Sequence, residues 1–118
     1  MKEKEKSETP WGGWEVLTHT PYCKVKHVWV NPGHRLSYQY HLFREERWMI
    51  VLGKALVILD GNSFEYQKGD VVTIPLKAKH RIGNVGTDVL IFIEIQQGSY
   101  FGEDDIVRLE DDYHRLEK

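Results

Sequence analysis

The chain has 118 residues, enough for one domain with a single buried core and too few for a second. Its residues are 41% hydrophobic and its formal net charge is −2 with the signs interspersed, which excludes the basic stripe that a nucleic-acid or anionic-membrane surface needs. A lone cysteine, Cys23, excludes an internal disulfide, no apolar run reaches the ~18 residues of a membrane helix, and the charged start Met1 to Lys6 has no signal-peptide core. A cytoplasmic setting is the expectation.

In chain order, residues 1–9 read as a charged tail, expected to be disordered because it has nothing apolar to offset the entropy of ordering. Ordered structure is expected from Pro10. Strands are predicted at Trp14–Leu17, Tyr22–Val30, Arg35–His41, Arg47–Leu52, Ala55–Leu59, Ser63–Tyr66, Val71–Ile74, His80–Ile82 and Val89–Gln96. Turn residues separate them: Asn31-Pro32-Gly33, Gly53, Asp60-Gly61-Asn62, Lys68-Gly69-Asp70 and Asn84 to Asp88. Short strands at this spacing predict an all-β barrel or jelly roll. At the C-terminal end, Ile106, Leu109, Tyr113 and Leu116 have a spacing compatible with a short helix, with Asp104 and Asp105 at its N-terminus.

Gln39 and His41 are two apart and share one face of a strand. Glu46 follows a short bend, and His80 comes from a separate strand. Nitrogen and oxygen donors converging from different strands suit a mononuclear site for zinc, manganese, iron, cobalt or nickel. On the strand Val89–Gln96, alternation puts Phe92, Glu94 and Gln96 on one face and Ile91, Ile93 and Ile95 on the other. If the first face points inward, Glu94 is a candidate proton-transfer base; if the isoleucines fill the core, it is solvated. Arg44, between His41 and Glu46, either serves the site or belongs to a charged surface turn. Lys24 with Lys26, or Lys77 with Lys79, can attract a sugar phosphate. His19, His27 and His34 lie outside these spacings and are read as structural.

These spacings also carry a resemblance. Gly33, Gln39, His41, Glu46 and Gly53 resemble the first cupin motif, and Gly69, Pro75, His80 and Asn84 the second, with Lys77 where that pattern usually has glycine. The run Arg35 to Trp48, R-L-S-Y-Q-Y-H-L-F-R-E-E-R-W, resembles the R-L-S-L-Q-x-H-H-H-R-x-E-H-W signature of type II mannose-6-phosphate isomerases. Pro10 to Leu17 and Gly98 to Tyr113 are similar to the same family's opening and closing segments. Departures fall at Leu42, Phe43 and Arg47, which replace histidines, at Thr9, which replaces an arginine, and at His114, which replaces a glycine.

The resemblance implies a cupin double-stranded β-helix over residues 10–118, ending in a C-terminal extension. It implies a divalent metal, most simply zinc, on Gln39, His41, Glu46 and His80, with Arg44 at the substrate. The implied activity is the isomerase half alone, interconverting mannose 6-phosphate and fructose 6-phosphate through a cis-enediolate. A non-catalytic metal-containing sugar-binding cupin, or another metal-dependent cupin enzyme, are the alternatives. Cupin barrels often dimerise, and the strand Trp14–Leu17 is the expected edge for a homodimer.

Overall fold

The computed structural model describes residues 6–115 and is all-β: among them there is no helix. Eleven strands follow in chain order: β1 (Lys6–Thr9), β2 (Gly12–His19), β3 (Cys23–Val30), β4 (Tyr38–Tyr40), β5 (Arg44–Leu52), β6 (Lys54–Leu59), β7 (Asn62–Gln67), β8 (Val71–Ile74), β9 (His80–Asn84), β10 (Leu90–Gly98) and β11 (Val107–Glu110). They form a six-stranded sheet, β1-β2-β3-β10-β5-β8, and a five-stranded sheet, β11-β4-β9-β6-β7. Every pairing is antiparallel, and the sheets face each other across the core as in a jelly roll.

Local sequence explains the tight turns. Asp60 and Gly61 have φ of 47° and 86°, the doubly positive pair that a two-residue hairpin between β6 and β7 requires. Lys77 and His114 have φ of 66° and 61°. Both stand where the family pattern has glycine, and the left-handed backbone is the physical reason for that preference.

The barrel interior is divided along its length. On β3 the inward residues run Val30, Val28, Lys26, Lys24; on β10, Leu90, Phe92, Glu94, Gln96; on β5, Ile50, Trp48, Glu46, Arg44. All twelve are buried. Register aligns these rows, with Val28, Phe92 and Ile50 side by side at one level and Lys26, Glu94 and Trp48 at the next. One end is therefore an apolar plug, completed by Val57 and Ile82, which pair with each other on the facing sheet. The other end holds ionisable groups, and the first does the work of burial while the second remains available for chemistry.

Three expectations are corrected. Lys6–Thr9 is not a disordered tail: it is β1, paired with β2 from Lys6↔Glu15 to Thr9↔Gly12. The sequence argument weighed side chains, but here backbone hydrogen bonds along a sheet edge and the buried Trp11 of the connecting turn fix the segment. Residues 1–5 lie outside the described residues. The expected helix after Asp104 is instead β11, laid on β4, because Arg81 grips Glu110 and Tyr113 stacks on His34; Leu116 is outside the described residues. Finally, the expected edge at Trp14–Leu17 is closed at Trp14 and Glu15, where β1 pairs on one side and β3 on the other. Boundaries shift less: the strand expected at Arg35–His41 shrinks to β4, while β5 begins at Arg44 and so contains Glu46.

Candidate metal centre

His41 follows β4, Glu46 lies on β5 and His80 opens β9, where it pairs with Gln39 of β4. One ligand atom from each of His41, Glu46 and His80 lies within 4.8 Å of the others, and all three residues are buried. Gln39 is also buried and lines the same cavity of about 80 Å³, with its Nε2 turned to the Ser37 carbonyl at 3.4 Å. The four residues expected at the site are thus gathered around one cavity, three of them as a tight cluster.

Hydrogen bonds determine which atom each histidine presents. His41 Nδ1 donates to the Asp105 carbonyl at 2.5 Å and His80 Nδ1 donates to the Ala78 carbonyl at 2.9 Å. A carbonyl can only accept, so Nδ1 carries the proton and Nε2 is left with its lone pair. Burial lowers both imidazole pKa values, that of His41 to about 4, with Arg44 adding to the effect and Glu46 opposing it. Both rings are neutral at pH 7.

Glu46 is held from both oxygens. Oε1 accepts from Trp48 Nε1 at 2.9 Å, and Oε2 accepts from Arg44 Nε at 2.8 Å. Burial by itself would raise its carboxyl pKa, but Arg44 and the two imidazoles outweigh burial and bring it below the usual range. Glu46 is ionised. Its Oε2 lies 3.3 Å from His41 Nε2, two lone pairs facing each other, and Arg44 relieves both, with Nε on the oxygen and Nη2 at 3.5 Å from the imidazole nitrogen. Converging lone pairs on a neutral-nitrogen and anionic-oxygen donor set fit a borderline divalent cation.

Arg44 is 6% exposed, which excludes the surface-turn reading. Glu94 points inward. Burial, and secondarily the charge of Glu46, push its carboxyl up to about 7, against the pull of Lys26, Arg44 and the 2.5 Å hydrogen bond from Gln96 Nε2. The cavity therefore contains two carboxyl groups driven in opposite directions. The departures at Leu42, Phe43 and Arg47 leave this lining intact: all three side chains are exposed, and none lines the cavity.

Sequence reasoning missed Asp105 and Trp48 as parts of the site. Besides the carbonyl on His41, Asp105 accepts the Leu42 and Phe43 amides on its two carboxylate oxygens at 2.9 and 3.0 Å, clamping the bend from His41 to Arg44. Asp105 follows β10, 64 residues from His41, and no local spacing could have tied them together.

Fold and site together define a cupin with a candidate metal centre. Within that class, the chain belongs to the family described as mannose-6-phosphate isomerase C-terminal, whose model matches residues 1–111. It is 44% identical over 106 residues to the alginate biosynthesis protein AlgA of Pseudomonas aeruginosa, covering 90% of this chain and 22% of AlgA. It is 41% identical over 106 residues to a mannose-1-phosphate guanylyltransferase of Escherichia coli, again covering 90% and 22%. The chain spans about a fifth of the length of these curated relatives. Among solved structures, it resembles the oxalate decarboxylase of Bacillus subtilis, described with Mn(II) centres, at a TM-score of 0.77 and 26% identity over 90% of this chain and 30% of that one.

Proposed function

We propose that this domain is a metal-dependent aldose–ketose isomerase that interconverts mannose 6-phosphate and fructose 6-phosphate. The observation that carries the reading is the pairing, in one cavity, of an ionised Glu46 set between two neutral imidazoles with a buried Glu94 carboxyl that titrates near 7. Family membership and relatives named for mannose-1-phosphate and alginate biosynthesis supply the substrate class.

The reaction moves a proton between C1 and C2 through a cis-enediolate, and calls for a base, positive charge beside two oxygens and an anchor for the phosphate. Glu94 is the base, near enough to neutral pH to take a proton and return it. Gln96 holds the Glu94 carboxylate through Oε2. Arg44 supplies fixed positive charge; burial works against it, but Glu46 and Glu94 hold the guanidinium above its ordinary pKa. Gln39, His41, Glu46 and His80 would hold the cation. When bound, a divalent ion supplies Lewis acidity to the substrate oxygens, and since the reaction involves no redox change, zinc suffices. A cytoplasmic setting and a homodimeric assembly belong to the same reading.

The test is a coupled assay for fructose 6-phosphate formed from mannose 6-phosphate, with metal-analysed protein and the His41→Ala/His80→Ala double variant as control. The expected result is stoichiometric metal and turnover in the wild type, both lost in a variant that stays folded. Unchanged metal content in the variant would sink the ligand assignment. A full metal site without turnover would favour the sugar-binding alternative.

A further inference from the structure

Lysine is rarely buried without a specific reason, yet Lys24 and Lys26 are 6% and 4% exposed on the inner face of β3. Both ammonium groups end on one oxygen: Glu103 Oε2 lies 3.1 Å from Lys24 Nζ and 2.6 Å from Lys26 Nζ. Lys24 also donates to the Phe101 carbonyl at 3.1 Å, and Lys26 sits 4.0 Å over the Trp14 ring. Two cations thus share one carboxylate, leaving the trio with an excess positive charge.

The three partners are not equally fixed. The lysines stand on a strand hydrogen-bonded on both sides, whereas Glu103 is on the connection between β10 and β11 with its side chain 46% exposed. Its carboxylate is the solvent-side member of the cluster and can swing out without disturbing a sheet. Lys26 and Glu103 both line the cavity that holds the metal cluster, while Lys24 lines an adjoining pocket that reaches the cavity through Glu103, which lines both. Lys24 is in register with Gln96, which is in register with Glu46, so two inter-strand spacings, about 10 Å of backbone, separate the lysine row from the ligand row. That offset suits a substrate whose reacting carbons and anionic end lie at opposite ends.

We propose that Lys24 and Lys26 form an anion subsite for the phosphate of a phosphorylated sugar, with the Glu103 carboxylate as the resident occupant that the phosphate displaces. The proposal rests on the sugar-phosphate reading above and adds the anchor that reading lacks. A phosphate monoester carries close to two negative charges and three acceptor oxygens, so it satisfies two ammonium groups better than one carboxylate oxygen does. The other pair considered from the sequence, Lys77 and Lys79, is exposed, whereas Lys24 and Lys26 are both buried.

The probe is inorganic phosphate, titrated calorimetrically into metal-loaded full-length protein, with Lys26→Gln, Lys26→Arg and Glu103→Gln variants whose folding is checked by thermal melts. Lys26→Gln is expected to weaken phosphate binding tenfold or more, Lys26→Arg to retain it within a few-fold, and Glu103→Gln to strengthen it several-fold by removing the competing carboxylate. With mannose 6-phosphate, Lys26→Gln is expected to raise KM more than it lowers kcat. An affinity unchanged or weakened in Glu103→Gln would overturn the proposal, as would phosphate binding by Lys26→Gln equal to wild type. If Lys26→Gln fails to fold, the Lys26→Arg and Glu103→Gln results decide. Turnover with wild-type KM in Lys26→Gln would overturn the subsite and leave the isomerase reading standing. Lysine-dependent phosphate binding without turnover in the wild type would overturn the isomerase reading and leave the subsite standing.

Discussion

Asp105 performs two tasks with different atoms, and they can be separated by mutation. Its carbonyl orients His41, while its carboxylate holds the amides of Leu42 and Phe43. Asp105→Ala keeps the carbonyl and removes the clamp, so the bend loosens while the fold persists. Outer-shell contacts of this kind are worth about 10- to 100-fold in metal affinity; the expected result is a loss in that range, measured by competition against a chelator. Glu94 gives a pH signature. Acting as base it must be ionised, so kcat should rise with pH through about 7 and then level, with the midpoint lowered by any bound cation. Its folded pKa is raised above the ordinary glutamate value of 4.5, so its contribution to stability is present below that value and lost as pH rises through about 7. Urea titrations of metal-free protein should show that loss, and Glu94→Gln should remove both it and the kinetic limb.

At the level of elements, the turn between β8 and β9 carries a cost that the sequence exposes. Lys77 holds a left-handed backbone while its amide donates to the His41 carbonyl at 3.0 Å, tying the turn to the ligand bend. A side chain there costs about 1–2 kcal/mol in conformational energy, offset in part by the greater unfolded-state entropy of glycine. Lys77→Gly should therefore stabilise the protein by up to about 1 kcal/mol, read from chemical denaturation, without altering metal content. The same elements show how far sequence patterns reach. Gln39 and His41 were legible because period-two alternation puts residues two apart on one face. The strand at β11 was not, because Ile106, Leu109 and Tyr113 satisfy a helical spacing equally well, and only the contacts of Arg81 and His34 with that segment decide otherwise.

For the whole molecule, the barrel leaves an apolar outer surface on its larger sheet. Met49, Val51, Val71 and Ile95 are exposed there, with Ile91 and Ile93 half-buried among them. If two copies pair, this face offers them an apolar surface to bury. Light scattering is the check: a mass near twice 13.9 kDa for the wild type, falling toward the monomer in a Met49→Lys/Ile95→Lys variant. No helix among the described residues is long and apolar enough to cross a membrane.

By itself the sequence determined the donor chemistry and its local spacing: two histidines, a glutamate and a glutamine at intervals that strands can present together, and a partition of β10 into an isoleucine face and a Phe92–Glu94–Gln96 face. Tertiary structure alone decided which of those faces is the inside. Alternation divides a strand into two faces but assigns neither to the core, and on β10 and β3 both faces contain large apolar residues. Only closure of the two sheets, with the apolar ends of β3, β10 and β5 packed into one plug, turns Glu94, Lys24 and Lys26 inward and brings Asp105 onto His41 across 64 residues.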